Sequence, residues 1–159
     1  MILFVDETEC EDYFIVAGLL TDSKLKTDAT FKKFKKKVKN FPISPKDKEK
    51  IFTEFKSVIL DKKYQRIKVC MLEHISTMNY SIYYAVYKKK SKSFYQQEKE
   101  NVYISLLNKI VSQIDCEIDI IFDTFNKTDF ELKIIESIKQ NNNVFHPHRL
   151  WHGAGYRHH

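Results

Sequence analysis

Apolar residues in this chain fall into short blocks whose spacing changes between strand and helix periods. Residues 2–7 (ILFVDE) form an apolar run ending in two carboxylates, and residues 13–20 (YFIVAGLL) form a second. The polar stretch between them, residues 8–12, predicts a β-hairpin. Both runs are apolar at successive positions instead of alternate ones, the pattern of a sheet covered by helices on both faces. Phe31, Phe34 and Val38 then recur at i, i+3 and i+7 among Lys32, Lys33, Lys35, Lys36, Lys37 and Lys39. That spacing predicts an amphipathic helix with a lysine-covered outer face. Residues 40–45 (NFPISP) break it. Ser44 as a cap, Pro45 at the first helical position and the stripe Ile51, Phe52, Phe55, Val58 and Ile59 predict another helix, ending near Asp61.

Residues 66–72 (RIKVCML) are β-branched and apolar enough to read as a third strand. Tyr80, Tyr83, Tyr84 and Tyr87 follow at i, i+3, i+4 and i+7 and run into Lys88, Lys89 and Lys90. On a helix they share one face, although the same residues are β-prone. The stripe reads either as packing or as a platform on which bases stack while ammonium groups hold phosphates. Ser93 with Gln96 forms a capping box opening a long amphipathic helix through Tyr103, Leu106, Leu107, Ile110, Val111 and Ile114. Residues 117–123 (EIDIIFD) are a buried-type strand closing on a carboxylate. Thr128 with Glu131 is a second capping box, followed by Phe130, Ile134, Ile135 and Ile138. The order is β-β-α-α-β-α-β-α, a single α/β domain over residues 1–143 without internal repeat.

Residues 144–159 (VFHPHRLWHGAGYRHH) differ in kind. They hold five of the six histidines, two of the three glycines and the only tryptophan, with no acid and no helical period. This reads as an irregular, His-rich tail, poorly ordered or packed down; His146 and His148 around Pro147 leave a metal site as the second reading.

Composition narrows the class. A chain of 159 residues, 43% apolar and 30% charged, has the size of one globular domain, and three glycines and three prolines exclude collagen-like and linker-rich architectures. The longest apolar run, residues 14–20, is far shorter than the roughly 20 residues that cross a bilayer, so no membrane association is expected. Residues 1–5 lack the basic flank of a signal peptide, which predicts a cytoplasmic protein. Cys10, Cys70 and Cys116 are far apart and form no Cys-x-x-Cys, so reduced thiols are expected, with neither a disulfide framework nor a zinc site.

The net charge is +6, unevenly spread. Residues 1–23 hold six acids and no Lys or Arg, residues 24–63 hold fourteen bases against five acids, and lysine supplies 24 of the 27 bases. Lysine is a point charge that attracts phosphate without reading base edges, so any nucleic-acid binding would be non-specific, through the backbone, and salt-sensitive. A solvated, solubilising surface is the alternative.

Asp6 closes one predicted strand and Asp123 another. If those strands are neighbours, both carboxylates emerge at one edge of the sheet, where they repel unless one is protonated or a cation lies between them. Mg²⁺, with its preference for oxygen ligands, is the usual solution. Such a pair is half of a two-metal phosphoryl-transfer site. Glu7, on the opposite face by period-2 alternation, joins them only if its strand is ending.

The opening run with Asp6, Glu7 and Thr8, the second run with Ala17 and Gly18, the helix that begins near Phe94 and Tyr95 and carries Leu106 and Leu107, and the later run ending at Asp123 together resemble the RNase H-like family known as domain of unknown function 3800. The resemblance covers about residues 1–140. It implies an RNase H-like mixed sheet with helices on both faces, an acidic metal-binding cluster and nuclease activity, often in phage or mobile-element settings. Three features depart from the family. Its Ser-Gly after the first acids is Thr8-Glu9 here, its Glu-x-Lys element is replaced by residues 40–42, and its closing strand and acid-bearing helix have no counterpart after Asn143. The C-terminal strand and helix are therefore expected to be missing.

The expectation is a metal-dependent nuclease, active or impaired. Asp6 and Asp123 are its catalytic metal ligands, Glu7 is a third ligand, Mg²⁺ or Mn²⁺ is the cofactor, and Lys32, Lys33, Lys35, Lys36 and Lys37 draw in the phosphate backbone. The alternative is a non-catalytic nucleic-acid-binding or assembly module on the same fold, with an apolar sheet face for a partner subunit such as a second copy in a homodimer.

Overall fold

A computed structural model describes residues 1–53, 64–91, 94–122, 128–141 and 144–149, and within these the side chains of all but residues 50, 52, 53, 128 and 145–149. The described elements run β1 (Ile2–Glu9), β2 (Tyr13–Thr21), α1 (Lys24–Val38), α2 (Pro45–Thr53), α3 (Gln65–Ile75), β3 (Tyr80–Lys88), α4 (Gln96–Val111), β4 (Ile118–Phe122), α5 (Thr128–Ile138) and β5 (Val144–Arg149). This is a mixed α/β chain. It forms two compact units among the described residues, one from Met1–Thr21 with the chain from Tyr80 onward, the other from Asp22–Asn79.

The first unit holds a five-stranded sheet in the order β3-β2-β1-β4-β5. The hairpin expected at residues 2–20 is present, with β1 and β2 antiparallel from Ile2–Thr21 to Glu9–Phe14. β3 extends it as an antiparallel meander, while β4 pairs parallel to β1 and β5 parallel to β4. Leu3 and Val5 of β1, Phe14, Val16 and Leu20 of β2, and Ile118, Ile120 and Phe122 of β4 are buried on one face, against Tyr103, Leu107 and Ile110 of α4 and Phe130, Ile134 and Ile138 of α5. The described helices of this unit, α4 and α5, thus cover the same face, whereas the unbroken apolar runs imply helices on both.

In the second unit, α1 opens on Ser23, whose hydroxyl accepts the Lys26 N–H at 3.4 Å, and it closes on Lys35, Lys36 and Lys37, cations placed favourably at the negative end of the helix dipole. Ser44 caps α2 as expected, its Oγ accepting the Asp47 N–H at 3.1 Å. Phe34 and Val38 of α1 are buried with Ile51, Tyr64, Ile67 and Cys70. The continuation of the α2 stripe to Phe55, Val58 and Ile59, its end near Asp61 and the Ser93 cap lie outside the described residues.

Three expectations are corrected. Residues 66–72 are not a strand but lie within α3: Ile67 and Cys70, three apart, are buried, whereas Val69 and Leu72 are exposed, so burial follows the helical period. The tyrosine segment is not a helix but β3. Tyr83, Ala85 and Tyr87 pack on the core side while Ile82, Tyr84 and Val86 face outward, because β-prone side chains paired along all of β2 obey the two-residue period. Residues 144–149 are not irregular; they form β5 alongside β4, so a fifth strand does follow Asn143. Pro147 lies within this edge strand, where a missing N–H can be tolerated.

Candidate functional site

β1 and β4 lie side by side and parallel, and their connections leave in opposite directions: β1 turns back into β2, while β4 leads through α5 to β5. In open α/β sheets, a crevice forms beyond the carboxyl ends of two such strands. Asp6 lies within β1, directly after Val5, the last residue paired with β4, and is exposed, its Oδ1 accepting the Glu7 N–H at 2.9 Å. The parallel register pairs Leu3 with Ile120 and Val5 with Phe122, the residue immediately before Asp123. Asp123 itself lies outside the described residues.

Glu7 is half-buried, and β1 stays in its ladder with β2 through Glu9. The strand does not end at Glu7, so alternation sends Asp6 and Glu7 to opposite faces. Glu7 shares the face of Leu3 and Val5, toward α4 and α5. The structure therefore separates two of the three acids read as one ligand set. Among the described residues no group of three or more His, Cys, Asp and Glu is placed to hold a metal ion.

Other charged groups gather at the same end of the sheet. Lys99, in the first turn of α4, donates to Glu9 Oε2 at 3.3 Å, and Lys89, just past β3, donates to Glu9 Oε1 at 3.1 Å. The Lys89 hydrogen bond, then Lys99, hold the Glu9 carboxyl below its usual range against the opposing effect of burial. The same ammonium groups lie over Phe94 and Phe14, respectively. This cluster brings the start of α4 to the end of β1. At the other end of α4, Asn108 donates to Ser137 Oγ at 2.6 Å and accepts from Asn141 at 2.9 Å, so α4 and α5 also finish together.

Both helices carry a buried acid in their early turns, which the sequence reading passed over. Glu100 precedes Tyr103 and Leu107 by three and seven residues, and Glu131 stands in the same relation to Ile134 and Ile138; the two acids are only 6% and 5% exposed. The signal was present as a carboxylate on each apolar stripe. Gln96 Nε2 donates to Glu100 Oε1 at 3.3 Å.

The lysines belong to α1 of the second unit. Lys32, Lys33, Lys36 and Lys37 are exposed there, Lys37 bonds Glu73 at 3.4 Å, and Lys35 is half-buried with its ammonium 4.8 Å from the Phe31 ring centre. Burial raises the Cys70 thiol of α3, and His74 Nδ1 lies 3.8 Å from its Sγ but 2.7 Å from the Cys70 carbonyl oxygen, to which it can only donate. No described helix is long and apolar enough to cross a membrane. In comparisons with known proteins, no family, no curated protein and no solved structure matches this chain.

Proposed function

We propose that this protein is a metal-dependent nuclease of RNase H-like architecture, acting on nucleic-acid phosphodiesters through Asp6 and Asp123. The observation that carries the reading is the parallel pairing of β1 with β4 up to Val5 and Phe122, each followed in the sequence by an aspartate. The sheet order, with β2 as the antiparallel neighbour of β1 and parallel strands continuing through β4 and β5, also supports it. Carboxylate oxygens suit Mg²⁺ or Mn²⁺ rather than a thiophilic metal. When bound, such an ion supplies Lewis acidity and an activated water at the phosphorus. Asp6 and Asp123 would hold it, and exposed lysines such as Lys32, Lys33 and Lys36 would raise the local concentration of the polyanion. Glu7, turned to the other face, is not required by this reading.

The test is cleavage of single- and double-stranded DNA and RNA with Mg²⁺ or Mn²⁺. Cleavage should appear in the unsubstituted chain and fall about 100-fold or more in Asp6→Asn and Asp123→Asn, the scale on which a catalytic group contributes. Glu7→Gln should keep it. Undiminished cleavage by Asp6→Asn would refute the assignment. The separation of Asp6 from Glu7 favours a second reading, a binding or assembly module without catalysis; nucleic-acid binding with no cleavage under any divalent ion would select it.

A further inference from the structure

Among the described residues, β3 is an outer strand of the sheet and is paired along all nine residues on its inner side only. Natural edge strands are usually protected by charge, proline, a bulge or shortness. None of these occurs between Tyr80 and Tyr87, and the first charge is Lys88. Ile82, Tyr84 and Val86 are 62%, 68% and 46% exposed. On the other face, a groove of about 470 Å³ runs beside the same edge, between Val86 and Tyr87 of β3 and Gln97, Asn101, Val102, Ser105 and Leu106 of α4. A strand edge left unpaired among the described residues and flanked by an apolar row and a groove is the geometry that accepts an added strand.

We propose that the added strand is β3 of a second copy of this chain, joined antiparallel about a two-fold axis at Tyr84. A two-fold axis perpendicular to the sheet preserves faces, so a residue can pair only with one of its own parity; centring the axis on Tyr84 uses the whole of Tyr80–Lys88. The resulting partners complement each other. Ile82 meets Val86, a β-branched pair on the outward face, and Tyr83 meets Ala85, a large side chain beside a small one at the groove. Lys88 meets Tyr80, and the lysine run that follows it in each copy lies at the far end of the joint ladder from its counterpart. Strands rise about 3.4 Å per residue. The two cationic runs are therefore separated by more than a Debye length, about 8 Å at physiological salt. Charge does not oppose the pairing, which continues the sheet to ten strands.

Sedimentation equilibrium on the full chain should give a dimer that Tyr84→Lys converts to monomer, with the thermal melt showing that this variant remains folded. Directly opposed Cα atoms in an antiparallel pair lie about 4.5–5.5 Å apart, within disulfide reach. Under mild oxidation Tyr84→Cys should thus cross-link to itself, whereas Ile82→Cys, set opposite Val86, should not, the unsubstituted chain serving as the control for its own cysteines. A monomeric unsubstituted chain overturns the proposal. So does a dimer that survives Tyr84→Lys, or cross-linking of Ile82→Cys as fast as Tyr84→Cys.

Discussion

Glu9 sits between two ammonium groups of which one, Lys89, has a side chain only 6% exposed. Because the carboxyl titrates lower in the folded chain than in the unfolded one, the stabilisation it brings is fully present above the unfolded value of about 4.3 and is lost as pH falls through the depressed folded value. Glu9→Gln removes one charge and leaves Lys89 sheltered with a weaker partner. It should cost about 1 kcal/mol at neutral pH, and the loss should shrink as the solution is acidified through the carboxylate range, which thermal melts at descending pH will show. Gly18 is constrained by close packing. A Cβ there would lie 2.7 Å from Leu3 Cδ1, and Leu3 is itself fully buried in the sheet–helix core. Gly18→Ala should therefore destabilise the fold by about 1–3 kcal/mol, measurable by urea titration, despite adding only one methyl group.

At the level of elements, the polar clasp at the ends of α4 and α5 is the feature most open to test. Asn108 spans the Ile104 carbonyl, Ser137 and Asn141, so Asn108→Ala strands two polar partners and should lower stability by about 1–3 kcal/mol while leaving helix content at the circular-dichroism level unchanged. Elements with one dominant period were legible beforehand. The stripe Tyr103, Leu107 and Ile110 admits only a helix, and the runs at residues 2–7 and 13–20 are bounded by a polar turn. Two segments were ambiguous, and each went the other way. In residues 66–72 the β-branched content pointed to a strand, but the side chains that find burial are Ile67 and Cys70, one helical turn apart. In residues 80–88 the tyrosine spacing fitted a helix, yet Ala85 and Tyr87 share a face with Tyr83 only in an extended chain, and the long ladder with β2 decided the matter. β5 was invisible because Pro147 and the surrounding histidines mask its extended character, and its partner β4 lies more than twenty residues earlier. The candidate site was half legible: the strands that carry Asp6 and lead to Asp123 follow from their apolar character, whereas their adjacency entered only as a condition and is supplied by the parallel register. The separation of Glu7 depended on how far β1 continued, which side-chain pattern does not encode once the run turns polar.

Over the whole molecule, charge is divided between the two units. The acid-rich hairpin belongs to the first and the lysine-covered α1 to the second, so the lysines proposed to attract polyanions and the candidate acids belong to different units. Affinity for a random-sequence duplex should fall steeply as salt rises, with little preference among sequences. Replacing Lys32, Lys33 and Lys36 by alanine should weaken binding uniformly and reduce the logarithmic salt slope by about 0.9 for each phosphate that is no longer neutralised, as a fluorescence-anisotropy titration at several ionic strengths will read. Retention of the full slope would show that α1 is not the phosphate-facing surface.

The position of β1 in the sheet also has a consequence for biogenesis. It can close with β2 as soon as the hairpin leaves the ribosome, but its other side waits for β4, more than a hundred residues downstream. At translation speeds of about 5–20 residues per second, that flank stays unsatisfied for roughly 5–25 s. Nascent chains caught in this interval are the ones most prone to capture by holding chaperones, and slowing elongation between the second and fourth strands should lower the yield of native protein.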